Sequence, residues 1–94
     1  MRHAVYAGSF DPVTNGHLWM IEQGEQLFDK LTVAIGINSD KRYSFSLEKR
    51  LSMLRASLAH LPSVDVVDFE NQFLVNYAKS IGADYIIRGI RSAS

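Results

Sequence analysis

A chain of 94 residues with 47% hydrophobic content has length for one compact domain and a single core, residues 1–94. Ten Lys and Arg against ten Asp and Glu leave no basic excess, which argues against nucleic-acid and membrane-surface partners, and no apolar run approaches the ~20 residues that span a bilayer. The absence of cysteine excludes disulfides and thiolate chemistry, and a glycine and an acid come too early for a signal-peptide core, so a soluble, cytoplasmic protein is expected.

Residues 4–7 form the first predicted strand. Leu18, Ile21 and Phe28 mark one face of a first helix, with Thr14 placed to cap its N-terminus. Residues 31–37 are apolar almost throughout, as a strand covered on both faces should be. Leu47, Leu51, Leu54, Leu58 and Leu61 then fall at helical spacing and predict a second helix running to about residue 61. Ser46 is its N-cap, with Lys49 where a capping-box acid would sit. A third strand is predicted over 64–69. Phe73, Leu74, Tyr77, Ala78 and Ile81 share the apolar face of a third helix, which Gly82 stops. Residues 85–87 close the pattern as a fourth strand.

This βαβαβαβ order predicts a Rossmann-like parallel sheet with flanking helices. The connections from helix to strand are tight. Those leaving the strands, residues 8–15, 38–44, 70–72 and 88–94, are longer and hold most of the unusual polar residues. Ligands of open α/β sheets bind beyond the carboxyl ends of the strands, so the chemistry is loaded on one edge.

The densest signal is Gly8-Ser9-Phe10-Asp11-Pro12-Val13-Thr14-Asn15-Gly16-His17. Gly8 lets a ligand approach the backbone closely, Ser9 adds a hydroxyl just past the strand, and Asp11-Pro12 sets a turn. Residues 14–17 open a helix and put the His17 imidazole in its first turn, beside backbone N–H groups and the positive end of the helix dipole. The segment matches neither a dinucleotide fingerprint nor a phosphate-binding P-loop.

The pattern G-[ST]-F-D-P-x-T-x-G-H resembles the nucleotidyltransferase superfamily with a [HT]-x-G-H motif, specifically the bacterial phosphopantetheine adenylyltransferases. Lys41-Arg42 with Phe45-Ser46-Leu47-Glu48-Lys49-Arg50 resembles that family's basic pair and F-x-x-x-x-R helix start. Residues 73–78 resemble its pantetheine-lining segment, and Ile87-Arg88-Gly89-Ile90-Arg91 its I-R-G-[LI]-R block. Ser9 stands where threonine is usual, and Lys49 replaces a frequent acid.

The resemblance implies transfer of AMP from ATP to 4′-phosphopantetheine, giving dephospho-coenzyme A and pyrophosphate in coenzyme A biosynthesis. By the same resemblance His17 stabilises the transition state. Ser9, Phe10, His17, Gly89, Ile90 and Arg91 would contact ATP, while Ser9, Lys41, Leu74 and Arg88 would contact phosphopantetheine. Mg²⁺ would arrive on the nucleotide phosphates, without a metal site of the protein's own. The family assembles as homo-oligomers, typically hexamers, and its members continue past this point with an acidic helix, a further strand and a serine-rich ATP-embracing segment. The 94 residues are thus expected to be a C-terminally incomplete adenylyltransferase domain. Two other readings stay open. One is a nucleotidyltransferase acting on nicotinate mononucleotide or glycerol phosphate, and the other a catalytically silent piece that binds ligand or self-associates. Trp19 and Met20 are expected to pack or to form an oligomer contact, His3 is expected to be structural, and His60 to complement its helix's dipole.

Overall fold

A computed structural model describes residues 1–37, 42–70 and 73–87. Its elements run β1 (His3–Gly8), α1 (Asn15–Leu27), β2 (Lys30–Ile37), α2 (Leu47–Ser57), β3 (Asp65–Glu70), α3 (Leu74–Ser80) and β4 (Tyr85–Ile87). The four strands form one parallel sheet in the order β3-β2-β1-β4. Register pairs Gly8 with Ile35 and Gly36 with Phe69, so β1, β2 and β3 end side by side at one edge.

Moving from β1 to β3 through right-handed crossovers puts α1 and α2 on one face, and the return to β4 puts α3 on the other. The two cores follow from this. Ala4, Tyr6, Val33 and Ile35 pack with Ile21, Leu54 and Leu58 on the first face. Val5 and Ala34 pack with Ala78 of α3, flanked by Phe69, Leu74 and Tyr77, on the second. Alternation along β1 and β2 divides their side chains between these layers. Among the described residues, no helix is long and apolar enough to cross a membrane.

The element boundaries depart from the sequence expectation at three places. Helix α2 ends at Ser57, although its leucine stripe continues to residue 61. Beyond it the Leu58 N–H bonds both Leu54 and Arg55 carbonyls, and Leu61 N–H bonds Leu58 O at 2.8 Å. Tight turns therefore carry the last two leucines onto the core without further α-helix. Val64 lies outside β3 because its N–H goes back to Leu61 O, at 3.0 Å, instead of into the ladder. Phe73 is not on the apolar face of α3. It is the N-cap, its backbone extended (φ −70°, ψ 144°), and its ring is 81% exposed. Gly82 does stop α3, at φ +75°, the left-handed conformation that costs glycine least.

Of the remaining histidines, His3 is buried and its Nε2 lies 2.8 Å from the Thr32 hydroxyl, a structural pair across β1 and β2. His60 does not act on its own helix end. Its Nε2 meets Glu22 Oε2 at 2.9 Å and ties the turn after α2 to α1. Trp19 is exposed, whereas Met20 packs against the first core.

Candidate active site

The junction between β1 and α1 is built by a capping box. The Thr14 hydroxyl accepts from the His17 N–H at 3.3 Å, and the Thr14 N–H donates to His17 Nδ1 at 3.0 Å. A histidine thus fills the position that usually carries Glu or Gln. The consequence is chemical. A ring nitrogen that accepts a hydrogen bond cannot bear the hydrogen, so the neutral imidazole carries it on Nε2. Phe10 packs edge-on to the His17 ring, centroids 4.8 Å apart, and to Tyr6 at 5.6 Å. Phe10 is itself 1% exposed and has φ +49°, uncommon for a bulky residue. Burial of its ring in the core holds that backbone in place. The imidazole is therefore oriented from two sides, by the threonine cap and by an aromatic wall. Burial pushes the neighbouring Tyr6 phenol above its ordinary pKa.

The segment before α2 is tied to this junction by two charged side chains. Asp11 accepts from the Ser44 N–H at 2.6 Å and from the Phe45 N–H at 2.8 Å, one bond to each carboxylate oxygen. Arg50, on the buried face of α2, donates from Nε to Phe45 O and from Nη1 to Ser9 O, both at 3.1 Å. Its guanidinium carbon lies 4.0 Å from the centroid of the Tyr43 ring. Tyr43 in turn reaches the Gly36 carbonyl with its hydroxyl at 3.5 Å.

These contacts shape a cavity of about 320 Å³ over the carboxyl ends of β1, β2 and β3. Ala7, Gly8, Ser9, Gly36, Ile37, Tyr43 and Phe69 line it. Small residues on the strands leave the space, and two aromatic rings bound it. A Cβ on Gly8 would stand 3.3 Å from the Phe10 ring, so the glycine also lets that ring seat. Phe69 is stacked on Tyr77 of α3 (4.7 Å, 15°). Burial, and to a lesser degree the Asp68 charge, raise the Tyr77 phenol's pKa.

Of the residues singled out in the sequence, Ser9, Phe10 and His17 are brought together at this junction, with Ser9 in the cavity wall and Phe10 beneath His17. Leu74 packs against the second core and is not among the cavity's lining residues. Lys41, Arg88, Gly89, Ile90 and Arg91 lie outside the described residues. Sequence reasoning treated Asp11 only as a turn former and gave Arg50 no role. A signal for Arg50 was available: it falls between Leu47 and Leu54 on the apolar stripe, where a charge must find buried partners. Asp11 had no such signal, since its partners lie 33 and 34 residues away.

The cytidylyltransferase-like family model matches residues 5–94. A phosphopantetheine adenylyltransferase of Chromobacterium violaceum is 60% identical over all 94 residues, which cover 57% of that protein. One of Neisseria meningitidis serogroup C is 56% identical over 93 residues, 99% of this chain and 55% of its own length. The chain thus spans little more than half the length of these relatives. Among solved structures, the Plasmodium falciparum nicotinic acid mononucleotide adenylyltransferase in complex with NaAD superposes with a TM-score of 0.74 at 19% identity, over 95% of this chain and 51% of that one. A lipopolysaccharide core biosynthesis protein from Thermoplasma volcanium superposes at 0.69 with 22% identity, over 92% and 72%. At such identities these two structures speak for the fold.

Proposed function

The chain belongs to the cytidylyltransferase-like family, and on that premise we propose that the whole protein transfers the adenylyl group of ATP to 4′-phosphopantetheine, giving dephospho-coenzyme A and pyrophosphate. The observation that carries this reading is His17. Its Nδ1 is held by the Thr14 N–H, leaving the hydrogen on Nε2 of a ring seated at a helix N-terminus and packed on Phe10, the residue that follows the cavity-wall Ser9. Identity with relatives named phosphopantetheine adenylyltransferase along essentially the whole chain supports the choice of acceptor.

In the reaction a phosphate oxygen of phosphopantetheine forms a bond to the α-phosphorus of ATP. The bond to the β-phosphate oxygen breaks, and pyrophosphate leaves with that electron pair. The attacking phosphate is already anionic at neutral pH, so no general base is needed. The chemistry asks for two polyanions held in line and for donors aimed at charge growing on the α-phosphate. His17 Nε2–H is such a donor, and the helix dipole adds to it. Ser9 would meet the acceptor's phosphate and the Ser9-Phe10 backbone the nucleotide. Lys41 and Arg88 would hold the acceptor's phosphate, Leu74 would border its pantetheine arm, and Gly89, Ile90 and Arg91 would contact ATP. Mg²⁺ belongs to this reading as part of the nucleotide substrate. A cytoplasmic homo-oligomer completes the proposal.

Calorimetric titration with phosphopantetheine and with ATP, and pyrophosphate release by the whole protein with both and Mg²⁺, test the reading. Saturable phosphopantetheine binding and pyrophosphate release that needs both substrates are expected. Pyrophosphate release independent of phosphopantetheine would overturn the assignment.

A further inference from the structure

Arg50 is 2% exposed, the most deeply buried charged side chain among the described residues. A guanidinium removed from water is costly unless paired, and an apolar residue of similar size is often at least as stable in such a place. Among the described residues no carboxylate pairs with it: the ion pairs are Lys30 with Asp65 and His60 with Glu22. The nearby Asp11 gives both oxygens to the backbone of Ser44 and Phe45. Two carbonyls accept from Nε and Nη1 and the face of Tyr43 covers the guanidinium and softens its charge, yet none of these three partners carries a negative charge. Two of these three partners, Ser9 and Tyr43, are walls of the cavity. The positive charge therefore stands directly behind the open space at the strand ends.

We infer that Arg50 is a positioning residue that sets the cavity's affinity for a phosphate monoester. It holds the Ser9 carbonyl and the Tyr43 ring in place and supplies the fixed positive charge that the bound phosphate answers. The phosphate carries the negative charge that Arg50 lacks among its described partners. A single unit charge close behind an anion in a partly screened interior changes affinity by roughly tenfold to a hundredfold. The identity of the ligand as phosphopantetheine rests on the function proposed above. The electrostatic role of Arg50 does not.

The test is titration calorimetry of the wild type, Arg50→Met and Arg50→Lys with inorganic phosphate, 4′-phosphopantetheine and unphosphorylated pantetheine. Arg50→Met should weaken both phosphorylated ligands by about tenfold or more and leave pantetheine unchanged. Arg50→Lys, which keeps the charge and loses the planar fork, should recover most of that loss. The wild type's phosphate affinity should also fall more steeply with added salt than that of Arg50→Met. A folded Arg50→Met that binds phosphate as the wild type does, or that loses pantetheine and its phosphate equally, overturns the inference. If the substituted chains do not fold, the wild type decides. Its Arg50 Nε–H and Tyr43 ring resonances should shift on titration with inorganic phosphate, and unmoved resonances overturn the inference equally. Arg50-dependent binding of inorganic phosphate, with phosphopantetheine bound no more tightly, would leave the inference standing and remove the proposed acceptor.

Discussion

Replacing Asp11 by alanine tests how the site is held together. The carboxylate fastens the segment before α2 through two backbone bonds, at 2.6 Å to Ser44 and 2.8 Å to Phe45. Hydrogen bonds to a charged group contribute about 1.5–3 kcal/mol each. Ser44 is exposed, so water takes over much of its lost bond, whereas Phe45 is half-buried and its N–H is harder to satisfy. A loss of roughly 2–4 kcal/mol follows for Asp11→Ala, a large share of the ~5–15 kcal/mol that holds a typical domain. Asp11→Asn keeps one acceptor oxygen and faces the second N–H with an amide hydrogen, so it should lose about half as much. Urea unfolding followed by circular dichroism measures both variants, with the midpoint moving and the slope unchanged. Because Tyr43 adjoins the released segment, its contribution to the cavity wall should loosen as well, visible as altered tyrosine fluorescence in the folded state. An Asp11→Ala chain within about 0.5 kcal/mol of the wild type, the range of an ordinary surface change, would refute the reasoning.

Gly24→Ala places a Cβ 3.1 Å from Ile87 Cδ1 and 3.2 Å from Leu31 Cδ2. Overpacking of about 1–3 kcal/mol should outweigh the ~1 kcal/mol that alanine gains in a helix, lowering the melting temperature in a thermal scan. Tyr6 and Tyr77 both have phenol pKa values raised above 10.0, Tyr6 by burial and Tyr77 by burial and then Asp68. The unfolded chain therefore loses its phenol protons first, and stability should fall as pH rises above about 10. Unfolding midpoints across that range check it, and Tyr77→Phe should flatten the fall. In the whole protein His17→Ala should lower kcat about 10²–10³-fold and leave KM comparatively intact, as befits a donor acting on charge that develops in the transition state. A KM effect alone in steady-state kinetics would count against that role.

The sequence by itself determined the order of elements, the capped start of α1 and the glycine stop of α3, because these depend on residues within a few positions of one another. Its hydrophobic periodicity also divided core from surface, with errors where periodicity outlasts the hydrogen-bond ladder, at the end of α2, or where an aromatic serves as N-cap, at Phe73. Tertiary structure alone decided what surrounds the site. The His17 ring rests on Phe10, whose own ring is held in place by the core. The partners of Asp11 are 33 and 34 residues distant, and Arg50 reaches Ser9 across 41. Such contacts form because parallel crossovers bring the ends of β1 and β2 together and lay the start of α2 against them. No local pattern records which distant carbonyl a buried guanidinium will find, since that depends on which carbonyls the folded chain brings within its reach.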